Sequence, residues 1–85
     1  MILAAELTEK ERGKKLSEFL VRGKRYRVTS TKGSVTEGQY RRMFYDDEDL
    51  TTEWADVTVV APKDWNYDSD GLLWDVAKIK EVVPA

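Results

Sequence analysis

Residues 23–40 read GKRYRVTSTKGSVTEGQY, and the two glycines at 33 and 38 decide how this part of the chain folds. Val28 lies on a run that alternates with Arg25, Arg27 and Thr29, the period of a strand with one face buried. Thr31-Lys32-Gly33-Ser34 is polar and holds a glycine able to take φ > 0, so the chain is expected to reverse there as a tight β-hairpin. Gly38 falls inside the second strand. An interior strand glycine costs stability and marks a bend, a bulge or a close backbone approach, which a small barrel needs and a flat sheet does not.

Upstream, Thr8 and Glu11 have capping-box spacing and start a helix expected over about 8–22. Leu16, Phe19 and Leu20 recur at i, i+3 and i+4 as its apolar stripe, with Lys10, Glu11, Lys14, Lys15 and Glu18 on the exposed side. Gly23 is expected to close the helix as its C′ residue, and Gly13 weakens it by about 1 kcal/mol relative to alanine. Downstream the pattern is strand material over about 24–83. Strand one is expected over 24–31 and strand two over 34–45. Val35 and Met43 share one parity of strand two and Tyr40 and Phe44 the other, which a bulge near Gly38 reconciles. Asp46-Asp47-Glu48-Asp49 interrupts the pattern. Trp54 to Ala61 resumes it with Ala55, Val57 and Val59 on one face, and Pro62 ends it. After a polar loop over 63–71, Leu72 to Val76 and Lys78 to Val83 read as two short strands joined by a tight turn. One helix followed by five short, bent strands is the pattern of a small five-stranded SH3-like barrel, mainly β with an N-terminal α-helix.

The chain has 85 residues, one domain's worth, and a net charge of −2 with neither cysteine nor histidine. A domain this small buries only about 60–65% of the surface its unfolded chain exposes, and without disulfides oligomerisation is the common remedy. The apolar run from Met1 to Ala5 is cut off by Glu6, far short of a signal or membrane segment, so a soluble, cytoplasmic protein is expected. Charge is unevenly distributed: residues 1–45 carry 11 Lys/Arg against 5 Asp/Glu, and residues 46–85 carry 3 against 11. One basic and one acidic surface, suited to nucleic acid or to contact between copies, is one reading; a solvated mixed surface is the other.

Without histidine or cysteine, Ser-His and Cys-His nucleophile pairs are impossible and the commonest general base is missing, so an enzyme is not expected. The four adjacent acids at 46–49 ought to be equally exposed rather than held in the two different environments that acid/base division requires. Asn66, Asp68, Asp70 and Gly71 match EF-hand positions 1, 3, 5 and 6, but position 12 is Ala77 and strands flank the loop; an Asp-Gly turn is the simpler account, and neither metal nor cofactor is expected. Basic residues interleaved with aromatics remain. Arg22, Lys24, Arg25, Arg27, Arg41 and Arg42 accompany Tyr26, Tyr40 and Tyr45, a pattern suited to phosphate contacts and base stacking. Tyr26 and Tyr40 also suit the core, and Arg25 and Arg27 a solvated strand face. Among the tryptophans, Trp74 is expected in the core or a subunit interface, and Trp65, between Asp64 and Asn66, is the candidate for an exposed contact with a partner.

In layout the chain resembles the Sm/LSm family, most of all its bacterial Hfq branch. K32-G33-S34-V35-T36-E37-G38-Q39-Y40 is similar to the Sm1 pattern of a turn glycine, four residues, a bending glycine and an apolar residue two further on, and I79-K80-E81-V82-V83-P84 resembles the last strand and terminal proline of the Hfq branch. The departures fall where that family binds RNA: F44-Y45-D46-D47-E48-D49 stands in a longer loop where the family has Asp-x-aromatic/Met-Asn, and D75-V76-A77-K78 where it has Arg-Gly or Lys-His. The resemblance implies an Sm-type barrel that assembles by edge-strand pairing into a cyclic homo-oligomer of five to seven subunits, and single-stranded RNA as a partner. The residues it points to are Arg41, Arg42, Tyr45, Asp46 and Lys78, with Lys14 from the basic helix. The rival expectation is a non-catalytic, protein-binding or structural ring whose acidic loops and exposed tryptophan recognise another protein.

Overall fold

The computed structural model describes residues 2–3, 7–59, 66–68 and 71–85. In chain order these form β1 (Ile2–Leu3), α1 (Glu9–Phe19), β2 (Arg25–Ser30), β3 (Val35–Asp46), β4 (Asp49–Val59), β5 (Asn66–Asp68), β6 (Gly71–Asp75) and β7 (Ile79–Pro84), with a single 3-10 turn over Val76–Lys78 between the last two strands. The protein is mainly β, with one N-terminal helix and one antiparallel sheet in the order β1-β7-β2-β3-β4-β6-β5. Among the described residues no ladder joins β6 to β7.

The hairpin at 31–34 forms as its residues dictate. Gly33 takes φ 89°, and its N–H donates to the Ser30 carbonyl at 3.0 Å while the Ser30 N–H donates to the Ser34 carbonyl at 2.8 Å. The buried Ser30 hydroxyl accepts from the Lys32 and Ser34 amides at 3.2 and 3.1 Å, so the reversal satisfies its own polar groups. On β2, Tyr26, Val28 and Ser30 are buried and Arg27 is exposed, the alternation read from the sequence.

On β3 the change of face lies at Arg41, not at Gly38. The ladder to β4 slips between Tyr40 and Arg42, and a second slip between Glu37 and Gln39 puts the extra residues on β4, where Asp56 takes φ 50°. Thr36 and Tyr40 therefore face the core before the slip and Met43 packs against it afterwards. Gly38 serves close approach: a Cβ there would stand 3.2 Å from the Ala55 carbonyl oxygen and 3.3 Å from Val57 Cγ2.

α1 begins with the capping box: the Thr8 hydroxyl accepts the Glu11 N–H, and Glu11 Oε1 accepts the Thr8 N–H at 3.1 Å. Hydrogen bonding to the Thr8 side chain and from the Thr8 backbone N–H lowers the Glu11 carboxyl below its ordinary value. The helix stops at Phe19, three residues short of the expected end, because Leu20 turns extended and the Val21 N–H goes to the Tyr26 hydroxyl instead of an i−4 carbonyl. Gly23, with φ 89°, belongs to the turn closed by Lys24 N–H and Val21 O, so it is not the helix C′ residue. Gly13 is buried and lies against Leu50. Its cost in helix propensity is matched by a close helix-to-sheet approach that a larger residue would obstruct.

Leu16, Leu20, Tyr26, Val28, Tyr40, Trp54, Trp74, Val76, Ile79 and Val82 form the core. Tyr40 meets Trp54 nearly edge-on at 5.4 Å, and Tyr26 does so at 6.2 Å. Such pairs add about 0.5–1.5 kcal/mol beyond the area they bury. Burial raises the Tyr40 phenol above its ordinary value, and Tyr26 adds to the effect.

Two expected loops hold strand residues. The acidic run is no long loop: Asp46 and Asp49 pair across a two-residue turn at Asp47 and Glu48, with Asp47 at φ 58°, and β4 starts at Asp49, five residues earlier than expected. Phe44, Tyr45 and Thr51 favour extended structure, and aspartate tolerates the left-handed turn position. Within the expected polar loop, Asn66–Asp68 pairs with β6 as β5. The expectations for Trp65, Asp64 and Asp70 lie outside the described residues.

Candidate interaction groove

Leu16 of α1 and Leu20 just past its end join the core, and the Arg12 guanidinium donates to the Ala77 carbonyl at the 3-10 turn. Between the helix's other flank and the β3–β4 hairpin a groove of about 720 Å³ stays open, lined by Thr8, Glu9, Lys10, Gly13, Lys14, Ser17, Met43, Tyr45 and Leu50. Helical geometry sets one wall, since positions 10, 14 and 17 are spaced i, i+4 and i+7 on a single face. Strand geometry sets the other, since Met43 and Tyr45 alternate with Arg42 and Phe44 and so share the face towards the helix. Met43 and Leu50 are half-buried, whereas Tyr45 is 71% exposed. The hairpin tip, Asp46 to Asp49, follows this tyrosine in the chain as an exposed acidic turn.

The six sequence-derived candidates do not converge on one place. Lys14 and Tyr45 line the groove together; Asp46, next in the strand, alternates to the opposite face with Arg42 and Phe44. Arg42 is on the opposite face of β3, 4.3 Å above the Phe44 ring and 3.4 Å from Glu53. Arg41 is exposed at the slip in the ladder. Lys78 sits on the 3-10 turn, 3.6 Å from Asp75, in a separate hollow of about 270 Å³ with Ser30, Thr31 and Lys32. Sequence reasoning missed Met43, Leu50 and Lys10 as site residues. The i, i+4 spacing of Lys10 and Lys14 is the signal that groups those two; nothing local links them to Leu50.

Three of the arginines that suggested a phosphate-binding face, Arg25, Arg27 and Arg42, have protein partners. Arg27 pairs with Glu37 at 3.1 Å, and Arg25 donates to the Asp56 carbonyl and the Thr58 hydroxyl, each at 3.0 Å. Their charge is locally balanced or tied to the β4 irregularity, which weakens any long-range pull on a polyanion. Among the described residues no three Asp or Glu side chains converge to hold a metal ion, and no helix is long and apolar enough to cross a membrane. The calcium-like spacing at 66–71 has Asn66 and Asp68 on strand β5, not in a helix-flanked loop. Comparison with known protein families, characterised proteins and solved structures finds no match to this chain.

Proposed function

We propose that this chain is a non-catalytic protein-interaction module built on a small SH3-like barrel of Sm type, and that its ligand site is the groove between α1 and the β3–β4 hairpin. The barrel reading rests on the strand order β7-β2-β3-β4-β6 and on the 3-10 turn that connects the two end strands. The single observation carrying the functional reading is Tyr45, an exposed ring beside an apolar floor, Met43 and Leu50, and followed in the chain by the acidic turn at 46–49. An exposed aromatic beside an apolar hollow is the usual anchor of a protein contact. The four acids that follow Tyr45 favour cations, so the fitting ligand is a peptide segment that sets an apolar side chain on the groove floor and Lys or Arg towards the turn.

Lys10 and Lys14 on the helix wall favour a second reading, in which Tyr45 stacks on a base of single-stranded RNA and the lysines take its phosphates. The four acids at the turn oppose it. They lie within about a Debye length, roughly 8 Å, of any strand passing Tyr45.

The two readings separate in titrations of isotope-labelled protein. A short peptide with two or three arginines beside a leucine is expected to give saturable amide shifts at Met43, Tyr45 and Leu50, weakened at least several-fold in the charge-neutral variant Asp47→Asn/Glu48→Gln/Asp49→Asn. Oligo-U and oligo-A at low salt are expected to give none. Saturable micromolar oligonucleotide binding that is lost with Lys14→Ala and strengthened by the neutral variant would replace the protein reading with the RNA one. Absence of saturable peptide binding would overturn it.

A further inference from the structure

β3 outruns its neighbour. β2 pairs with it only from Val35 to Gln39, and the last bonds on that side join Tyr40 to Lys24 and Gly23. From Arg41 to Asp46, among the described residues, β3 is paired on one side only, with β4. This is the length of an ordinary strand. The turn decides which backbone groups face outward. Asp46 and Asp49 flank a two-residue turn and exchange hydrogen bonds, so Phe44 and Arg42, at alternate positions, also face β4. The N–H and C=O groups of Met43 and Tyr45 are therefore directed to the open side. Edge strands are ordinarily blunted by charged side chains, proline or a bulge. Here Arg41, Arg42 and the slip in the ladder stand at one end and the acidic tip at the other, and Met43 to Tyr45 between them carry none of these.

The order of side chains along the edge is Arg-Arg-Met-Phe-Tyr-Asp-Asp: two cations, three apolar residues, two anions. Reversing such a strand brings its anionic end onto its cationic end. It is therefore complementary to an antiparallel copy of itself. Outward-facing Met43 and Tyr45 must pair with outward-facing residues of the copy, which leaves few registers. One sets Met43 opposite Tyr45, Phe44 opposite Phe44 and Arg42 opposite Asp46, with the exposed Arg41 near the turn residue Asp47. Moving two residues one way puts Arg42 opposite Phe44; moving two the other way puts Phe44 opposite Asp46. Only the first register pairs Arg42 with Asp46 and keeps the apolar residues together. Arg41, Asp46 and Asp47 have no ion pair of their own among the described residues, and Arg42 holds Glu53 on its other side.

We infer that the β3 edge is a homodimer interface, across which two copies continue one sheet about a two-fold axis at Phe44. The contact is isologous, so each charge pair occurs twice. It is independent of what occupies the groove, although Met43 and Tyr45 bring the two grooves side by side across the axis.

Light scattering on the full chain tests this without any ligand. The expected mass at high protein concentration is twice the 9.8 kDa of one chain, falling towards one chain in high salt because the charge pairs are exposed. Arg42→Asp alone and Asp46→Arg alone place like charges opposite each other, and each is expected to be monomeric with an unchanged circular dichroism spectrum. Mixing the two is expected to restore the doubled mass as a heterodimer, and the exchange variant Arg42→Asp/Asp46→Arg is expected to dimerise by itself. A monomeric wild type at millimolar protein, single variants that stay dimeric, or a closed ring of five to seven chains would each overturn the inference. Repeating the peptide titration on the monomeric Arg42→Asp variant, whose substitution lies on the face away from the groove, keeps failure of the dimer distinguishable from failure of the groove reading.

Discussion

The Tyr26 hydroxyl, carried on β2, accepts the Val21 amide hydrogen at 2.8 Å and donates to the Phe19 carbonyl at 3.4 Å, so one phenol closes the C-terminal end of α1. The ring itself packs 5.6 Å from Phe19 and 6.2 Å from Trp54. Tyr26→Phe keeps that packing and strands a half-buried amide. It is expected to lower stability by about 1–2 kcal/mol, read as a shifted urea midpoint with unchanged slope. Amide exchange at Val21 is expected to quicken. A midpoint identical to wild type would show that the phenol does not hold the helix end.

Gly13 and Leu50 make a second helix-to-sheet relationship, in which the leucine side chain occupies the space beside the glycine. Helix propensity alone favours Gly13→Ala by about 1 kcal/mol. Here the methyl group displaces Leu50, so the single substitution is expected to gain clearly less. In a Leu50→Ala background the full gain is expected to return. A double-mutant cycle on chemical denaturation reads the difference directly, and additivity within error would contradict the close packing.

Thr36 is fully buried on β3, and its hydroxyl has no hydrogen-bond partner among the described residues. Thr36→Val replaces that hydroxyl with a methyl of similar size in a strand position that favours either residue. An unsatisfied buried polar group costs about 1–3 kcal/mol, so the variant is expected to be more stable than wild type by about 1 kcal/mol. Thermal unfolding checks the sign, and a destabilised variant would show that the hydroxyl has a partner after all.

Local signals were legible. The Thr8 and Glu11 spacing, the alternation along 25–30 and the Gly33 reversal each depend on residues within a few positions of one another, and each stands where the sequence put it. The end of α1 was not legible, because Gly23 offered a plausible stop while the group that ends the helix, Tyr26, arrives from a different element. The acidic run at 46–49 read as a loop because four carboxylates disfavour extended structure. The pairing of β3 with β4 on either side outweighs them. For the site, Lys14 and Tyr45 came together, but Arg42 and Lys78 did not. Their separation follows from the slip at Arg41 and from the position of the 3-10 turn, neither of which has a local signature.

What this sequence determined by itself is one capped helix and five of the strands, though not β1 or β5, because capping, periodicity and turn chemistry act over short distances along the chain. Only the tertiary structure decided which side chains share a surface. Glu37 and Glu53 reach Arg27 and Arg42 across strands, turning an apparently basic face into a balanced one, and Tyr45 emerges as the exposed ring because the ladder to β4 changes register one residue after Tyr40. Charge pairing and strand register are relations between residues distant in the chain, and there the physics of the folded state, not of the local segment, selects the outcome.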